Sequence, residues 1–140
     1  MPVYANAEQV YACIGTLFNR VLARSPDTAQ AILASRTIFR LHCSAPSAEI
    51  LLNGRQSPVQ PSFGASAVRP DLDIHLAADT LHLILLNQLS IREALAGGQL
   101  KVRGPVWKTS AVVDLLTEGR ALYPQVLREH GFTPQAQAMK

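Results

Sequence analysis

The stretch that decides the fold reads Asp71-Leu-Asp-Ile-His-Leu-Ala-Ala-Asp-Thr-Leu-His-Leu-Ile-Leu-Leu-Asn-Gln-Leu-Ser90 and continues Ile91-Arg-Glu-Ala-Leu-Ala-Gly-Gly-Gln-Leu-Lys-Val-Arg-Gly-Pro105. Over residues 71–78, polar and apolar side chains alternate, which predicts a half-buried strand. Asp79 is the residue type that caps a helix, and the pattern predicts a helix beginning at Thr80. The other predicted elements are interpreted relative to this strand and helix.

The second half of the same stretch predicts a short helix and a short strand. Ser90 and Glu93 have the spacing of a capping box, and the pair Gly97-Gly98 is typical of a helix end. Residues 100–103 then alternate as a brief strand, which Gly104-Pro105 ends.

The helix after Asp79 is more apolar than a surface helix needs to be. A helix lying over a sheet requires one apolar stripe, but here apolar residues surround the axis: Leu81, Leu83, Ile84, Leu85 and Leu86. Either the helix is buried on all sides in the core, or its second apolar face lines a cavity or a partner surface. Both interpretations stay open from the sequence.

The remaining segments predict the fold class. In chain order we expect a helix at 7–24, a short helix fading near residue 34, strands at 37–43 and 48–53, a proline-broken edge strand within 55–64, and two last helices opening at Pro105 and Pro124. Asn53-Gly54 is a strong type I′ hairpin signal. Strands and helices are segregated in runs, which predicts an α+β fold: a mostly antiparallel five-stranded sheet covered by helices.

Composition limits the class of protein. The chain has 140 residues, 48% of them hydrophobic, which favours one domain over residues 1–132 with a flexible tail over 133–140. The N-terminus has no secretory pattern, and we expect a cytoplasmic location with Cys13 and Cys43 buried and reduced. A net charge of +3 without a basic stripe argues against a nucleic-acid partner.

The histidines are the main candidates for chemistry. His42, His75, His82 and His130 lack the close ligand spacing of a zinc site, and we expect no metal and no cofactor. Asp73 and His75 share a strand face and could act as an oriented general base, but such a pair more often faces solvent beside Lys101 or Arg103. Because no nucleophile motif accompanies them, we expect no enzymatic activity.

The segment Ala96-Gly-Gly-Gln-Leu-Lys-Val-Arg-Gly104 resembles the Gly-x-Leu-Lys-Ile-x-Gly signature of the sterol carrier protein type 2 family. The order of helices and strands is also similar to that family over residues 36–120. The resemblance implies a non-enzymatic domain with an apolar tunnel between sheet and helices. It further implies a hydrophobic small molecule as partner: a fatty acid, an acyl-CoA ester, or a sterol-like or quinone-like lipid.

On this resemblance the expected function is binding and transfer of a hydrophobic ligand. The alternative is an accessory or dimerising module that presents a lipid-like substrate to a partner enzyme, for example in quinone or alkyl-sulfate metabolism. Transient membrane contact, a homodimer and a partner enzyme all stay open. The residues predicted to line the tunnel, each of which could equally be plain core, are Phe39, Leu41, Leu81, Leu85, Trp107, Ala111 and Leu115.

Overall fold

The computed structural model describes residues 3–64, 67–105 and 109–131. The predicted tail over 133–140, the domain boundary at 132 and Trp107 lie outside these ranges. The elements, in chain order, are α1 (Ala7–Arg24), α2 (Pro26–Ser35), β1 (Ile38–Ser44), β2 (Ala48–Asn53), β3 (Pro61–Phe63), β4 (Leu72–Ala77), α3 (Ala78–Leu85), α4 (Ile91–Ala96), β5 (Leu100–Arg103) and α5 (Thr109–Glu129). None of the helices in these ranges has the length and apolar character needed to cross a membrane.

The five strands form one sheet in the order β3-β2-β1-β4-β5. The central pair β1 and β4 is parallel, and the other neighbours are antiparallel. The predicted α+β class and the mostly antiparallel five-stranded sheet are therefore confirmed. The proline-broken segment forms only the short β3, which lies at the edge of the sheet. An edge position is expected because proline has no N–H to donate to a neighbouring strand.

The two faces of the sheet differ in polarity. Leu41 of β1 and Ile74 of β4 are aligned and buried against the helices, as the alternation predicts. The opposite face carries polar side chains, among them Arg40 and Asp73, which are also aligned. Helices α1 and α5 pack against each other and complete one hydrophobic core with the inner face.

Local signals place several helix ends as predicted. Ser90 accepts a hydrogen bond from the backbone N–H of Glu93 at 2.9 Å, and Glu93 accepts one from the N–H of Ser90, so the capping box is formed. Helix α4 then stops at Gly97, and Gly98 takes a positive φ of 76°. Cys13 and Cys43 are buried free thiols, as expected.

The prediction of two last helices is wrong, because α5 runs without interruption through Pro124. A proline in a helix interior costs about 3 kcal/mol through its missing N–H and its steric clash. Tyr123, Val126 and Leu127 around it are completely buried. Their burial offsets that cost, since each large apolar side chain removed from water contributes roughly 1.5–3 kcal/mol.

Asp79 and Gly54 also have structural roles that differ from the predicted helix cap and hairpin turn. The carboxylate of Asp79 does not cap α3, which begins directly after β4; it accepts a hydrogen bond from the N–H of Val3 at 2.9 Å. Gly54 lacks the positive φ of a type I′ turn, and residues 54–60 form a wide loop before β3. A side chain at Gly54 would lie 2.4 Å from the carbonyl oxygen of Thr37, so close backbone packing explains this glycine.

Candidate ligand-binding cavity

A cavity of about 250 Å³ lies between the inner face of the sheet and helices α3, α4 and α5. Its sheet wall is built from aligned positions on three strands. Leu41, Ile74 and Val102 form one row across β1, β4 and β5, and Leu76 and Leu100 form the next. Because register fixes which side chains share a face, the alternation of the three strands places this wall toward the helices.

The helical wall is formed by three short runs of residues. Ile84 projects from α3, Ile91 and Leu95 from α4, and Thr109, Val112, Val113 and Leu116 from α5, with Gly104 between β5 and α5. The spacings within α4 and within α5 are those of residues that share one helix face. The cavity is thus bounded by every element from β4 to α5 and by β1.

The walls of the cavity are aliphatic. Among the described lining residues, only Thr109 carries a polar side chain, and none is charged or aromatic. Moving a charged or unpaired polar group from water into such a site costs free energy, whereas an alkyl chain has no hydrogen bonds to water to lose. The volume lies slightly below the range of about 300–1,000 Å³ typical of pockets for drug-sized ligands. The cavity therefore suits the apolar part of a ligand whose polar part stays outside.

The cavity has an apolar rim that reaches solvent. Leu95 is 47% exposed and Val113 is 38% exposed, although both line the cavity. These two side chains therefore form an apolar rim at the opening between α4 and α5.

The predicted tunnel residues divide into two groups. Leu41 lines the cavity, whereas five others lie in the adjoining core and are not among the described lining residues: Phe39, Leu81, Leu85, Ala111 and Leu115. Contact of these five with a ligand stays a prediction. On α3, Leu81 and Leu85 face the core and Ile84 faces the cavity. One face of this helix is therefore buried in the core, and another lines the cavity.

Sequence reasoning missed most of the sheet wall and all of the α4 wall. Leu100 and Val102 lie within the segment that carries the family resemblance, and their alternation with Lys101 already placed them on one face. Ile91 and Leu95 are four residues apart after the capping box, which predicts a shared helix face. The missing information was which apolar face has an empty volume beside it.

A buried polar cluster lies in the core beside α3. The hydroxyl of Tyr123 is 2.6 Å from Nδ1 of His82 and contacts the hydroxyl of Tyr4, which in turn donates to Sγ of Cys13 at 3.8 Å. Burial raises the pKa of both tyrosines well above the ordinary value. The cluster joins the N-terminal segment, α1, α3 and α5, and this is the role of His82 that the structure supports.

The other candidate for chemistry, Asp73 with His75, lies on the sheet face opposite the cavity. Nε2 of His75 is 3.3 Å from the Asp73 carboxylate, and Nε of Arg40 donates to the same carboxylate at 3.1 Å. The hydrogen bond from Arg40 holds the pKa of Asp73 below its ordinary value. Lys101 and Arg103 are the β5 neighbours of His75 and Asp73, as predicted. The described residues contain no group of three or more ligand side chains placed to hold a metal ion.

The chain is an α+β domain in which helices cover one face of the sheet and an aliphatic cavity lies between the two layers. The model of the SCP-2 sterol transfer family matches residues 18–117, and the chain belongs to that family. Sequence comparison with curated proteins gives no significant match.

Solved structures share the fold at low sequence identity. Sterol carrier protein 2 from Yarrowia lipolytica, in its apo form, is 16% identical with a TM-score of 0.61, and the match covers 86% of this chain and 98% of that one. Sterol carrier protein domain 2 of Helicoverpa armigera is 13% identical with a TM-score of 0.65, covering 84% and 91%. The ubiquinone synthesis protein UbiJ-SCP2 is 24% identical with a TM-score of 0.59, covering 86% and 97%.

Proposed function

We propose that this protein binds and transfers a lipid or similar hydrophobic ligand, holding its apolar part in the cavity and leaving its polar part at the rim. The aliphatic lining carries the proposal. Each buried methylene contributes about 0.8 kcal/mol, so eight to ten of them contribute roughly 6–8 kcal/mol before the costs of binding. Fatty acids, acyl-CoA esters, sterol-like and quinone-like lipids all meet this requirement, and a slender chain fits a volume of about 250 Å³ best.

A non-enzymatic role fits the chemistry of the walls. The described lining residues supply no acid or base that could activate the hydroxyl of Thr109, and the carboxylate of Asp73 on the far side of the sheet is already engaged by Arg40. The interpretation of Asp73 and His75 as an oriented general base is tested by the variant His75→Ala: full activity in that variant would eliminate an enzyme that uses this pair. The cytoplasmic location expected from the sequence stays a prediction.

The substitution Val112→Phe tests the cavity directly. The larger ring occupies space that a ligand needs, so we expect affinity for a fluorescent fatty acid to fall at least tenfold. Stability should change little or rise, because the ring fills empty volume and gains dispersion contacts. Ala121→Phe is the matched control, since it puts the same side chain on an exposed position of the same helix. Equal affinities for wild type and Val112→Phe, both folded, would contradict the proposal.

A second candidate function is an accessory module that passes a lipid-like substrate to a partner enzyme. It is favoured by the exposed rim residues Leu95 and Val113, and by the likeness in fold to a protein named for ubiquinone synthesis. The variant Leu95→Lys tests the rim: because Leu95 also lines the cavity, we expect affinity for ligand to fall under either function, and only an accessory module also loses a co-purifying enzyme. A wild-type protein that is solitary in pull-downs from its native host would count against the second candidate. A homodimer or a membrane contact at the rim is tested with the same variant by light scattering and vesicle sedimentation.

A further inference from the structure

A second pocket of about 250 Å³ opens on the solvent face of the sheet, opposite the apolar cavity. Its floor is a row of three aligned residues, His42 of β1, His75 of β4 and Lys101 of β5. Ser44, two residues beyond His42 in β1, and Gln99, next to β5, also line the pocket. Because the three strands are hydrogen-bonded neighbours, the sheet fixes the relative backbone positions of these residues.

The polar side chains that line this pocket are rich in hydrogen-bond donors. An ammonium group, two imidazoles, a hydroxyl and a side-chain amide surround the space, and no carboxylate is among the described lining residues. A set of this kind favours a group that presents several acceptor oxygens and a negative charge.

The nearby carboxylates are engaged by Arg40. Asp73 receives a hydrogen bond from Nε of Arg40 at 3.1 Å, and Glu49, the β2 neighbour of His42, lies 3.6 Å from Nη1 of the same guanidinium. Lys101 takes part in no ion pair among the described residues and is exposed to solvent. The positive charge at the pocket is therefore left for a ligand.

The two imidazoles are held in place by stacking and by Asp73. Their rings stack with centroids 4.9 Å apart, and Nε2 of His75 is fixed 3.3 Å from Asp73. Nδ1 of His42 is buried without a hydrogen-bond partner in the described part of the chain. Stacked rings do not direct their nitrogens at one point, which disfavours a metal ion held by both imidazoles.

We infer that the pocket formed by His42, Ser44, His75, Gln99 and Lys101 is a binding site for a phosphate group. Donors from three strands around one space match a tetrahedral oxyanion, which presents more acceptor oxygens than a planar carboxylate does. The group can come from free phosphate or from the head group of a phospholipid. The site lies across the sheet from the apolar cavity, so this inference does not depend on the proposed function.

Titration with inorganic phosphate tests the site, with the imidazole nitrogens of His42 and His75 followed by NMR. The pH is fixed, and chloride keeps the ionic strength constant so that general screening does not change. We expect saturable shifts of these nitrogens in the wild type. The variant Lys101→Gln should weaken binding about tenfold, since it removes a charge-assisted hydrogen bond, and Ser44→Ala should weaken it severalfold.

Arg103→Gln is the matched control, because Arg103 has the same charge and exposure on the same strand face but does not line the pocket. It should bind phosphate like the wild type. Vesicles of phosphatidylcholine with and without phosphatidic acid identify the source: shifts that appear only with phosphatidic acid, and disappear in Lys101→Gln, support a lipid head group. The absence of saturable shifts with either ligand, or equal weakening by Lys101→Gln and Arg103→Gln, would overturn the inference.

Discussion

The buried cluster of Tyr4, Tyr123, His82 and Cys13 predicts a large effect of removing a single oxygen atom. In Tyr123→Phe, the hydroxyl of Tyr4 and Nδ1 of His82 both lose a buried partner. Each buried polar group left without its bond costs about 1–3 kcal/mol. Tyr4 retains its contact to Cys13, so we expect a loss of about 2–4 kcal/mol in the free energy of unfolding. At roughly 3 °C per kcal/mol for a domain of this size, Tm falls by about 6–12 °C.

Urea unfolding followed by circular dichroism measures this loss, and a double-mutant cycle tests its origin. Tyr4→Phe combined with Tyr123→Phe should cost less than the sum of the single variants, because the two hydroxyls share one hydrogen bond. Tyr11→Phe is the control: its half-buried hydroxyl accepts one bond from the N–H of Glu49 at 3.2 Å, and we expect a loss of about 1 kcal/mol or less. A loss below roughly 0.5 kcal/mol for Tyr123→Phe would refute the reasoning.

Two further predictions concern the backbone and the thiols. Gly104→Ala should cost more than about 2 kcal/mol in urea unfolding, because φ is +130° and the new Cβ would lie 2.2 Å from the carbonyl oxygen of Asp71; Gly98→Ala, with φ +76° and open space around it, should cost about 1 kcal/mol. Burial raises the pKa of Cys13 to about 11 and of Cys43 to about 12. In the unfolded chain the pKa of each thiol is near 9.0, whereas in the folded protein it is higher, so the unfolded state loses its protons first. The free energy of unfolding should therefore fall as pH rises above 9.0. Native protein should react with a thiol reagent only as fast as it opens, and rapid labelling would contradict this.

The period of the apolar pattern predicted β1, β4 and β5 and their buried faces. Strand β4 alternates strictly and β1 alternates from Phe39 onward, and this alternation indicates both the strand and the face that is buried. The same logic put His75 on a polar face beside Lys101 or Arg103, and the register of β4 and β5 aligns His75 with Lys101. The order of the elements followed from capping signals such as Ser90 with Glu93, which act within a few residues and do not depend on the rest of the fold.

Local sequence signals predicted the structure wrongly where tertiary packing opposed them. Pro124 has the local character of a helix start, but the buried residues on both sides of it hold one continuous helix. Gly54 has the local character of a hairpin turn, but it is needed where the backbone approaches Thr37. In both cases the deciding interaction comes from residues distant in sequence, which a local pattern does not contain.

The cavity lining could be predicted only as a set of apolar faces. Leu81 and Ile84 are both apolar, belong to the same buried core and are neighbours on one helix, yet of the two only Ile84 lines the cavity. The difference depends on where the helices and the sheet fail to fill space between them. That volume depends on the relative positions of β1, β4, β5, α3, α4 and α5 and is not encoded in any one segment.

Native mass spectrometry of the freshly purified protein tests the central claim most directly, combined with organic extraction of any bound molecule. The proposed carrier function predicts an added mass at near-stoichiometric level, released by extraction as a lipid with at least one long apolar chain. After delipidation, incubation with a fatty acid should restore one added mass in the wild type and much less in Val112→Phe. A bare protein mass before and after that incubation would contradict the claim that the cavity binds a ligand.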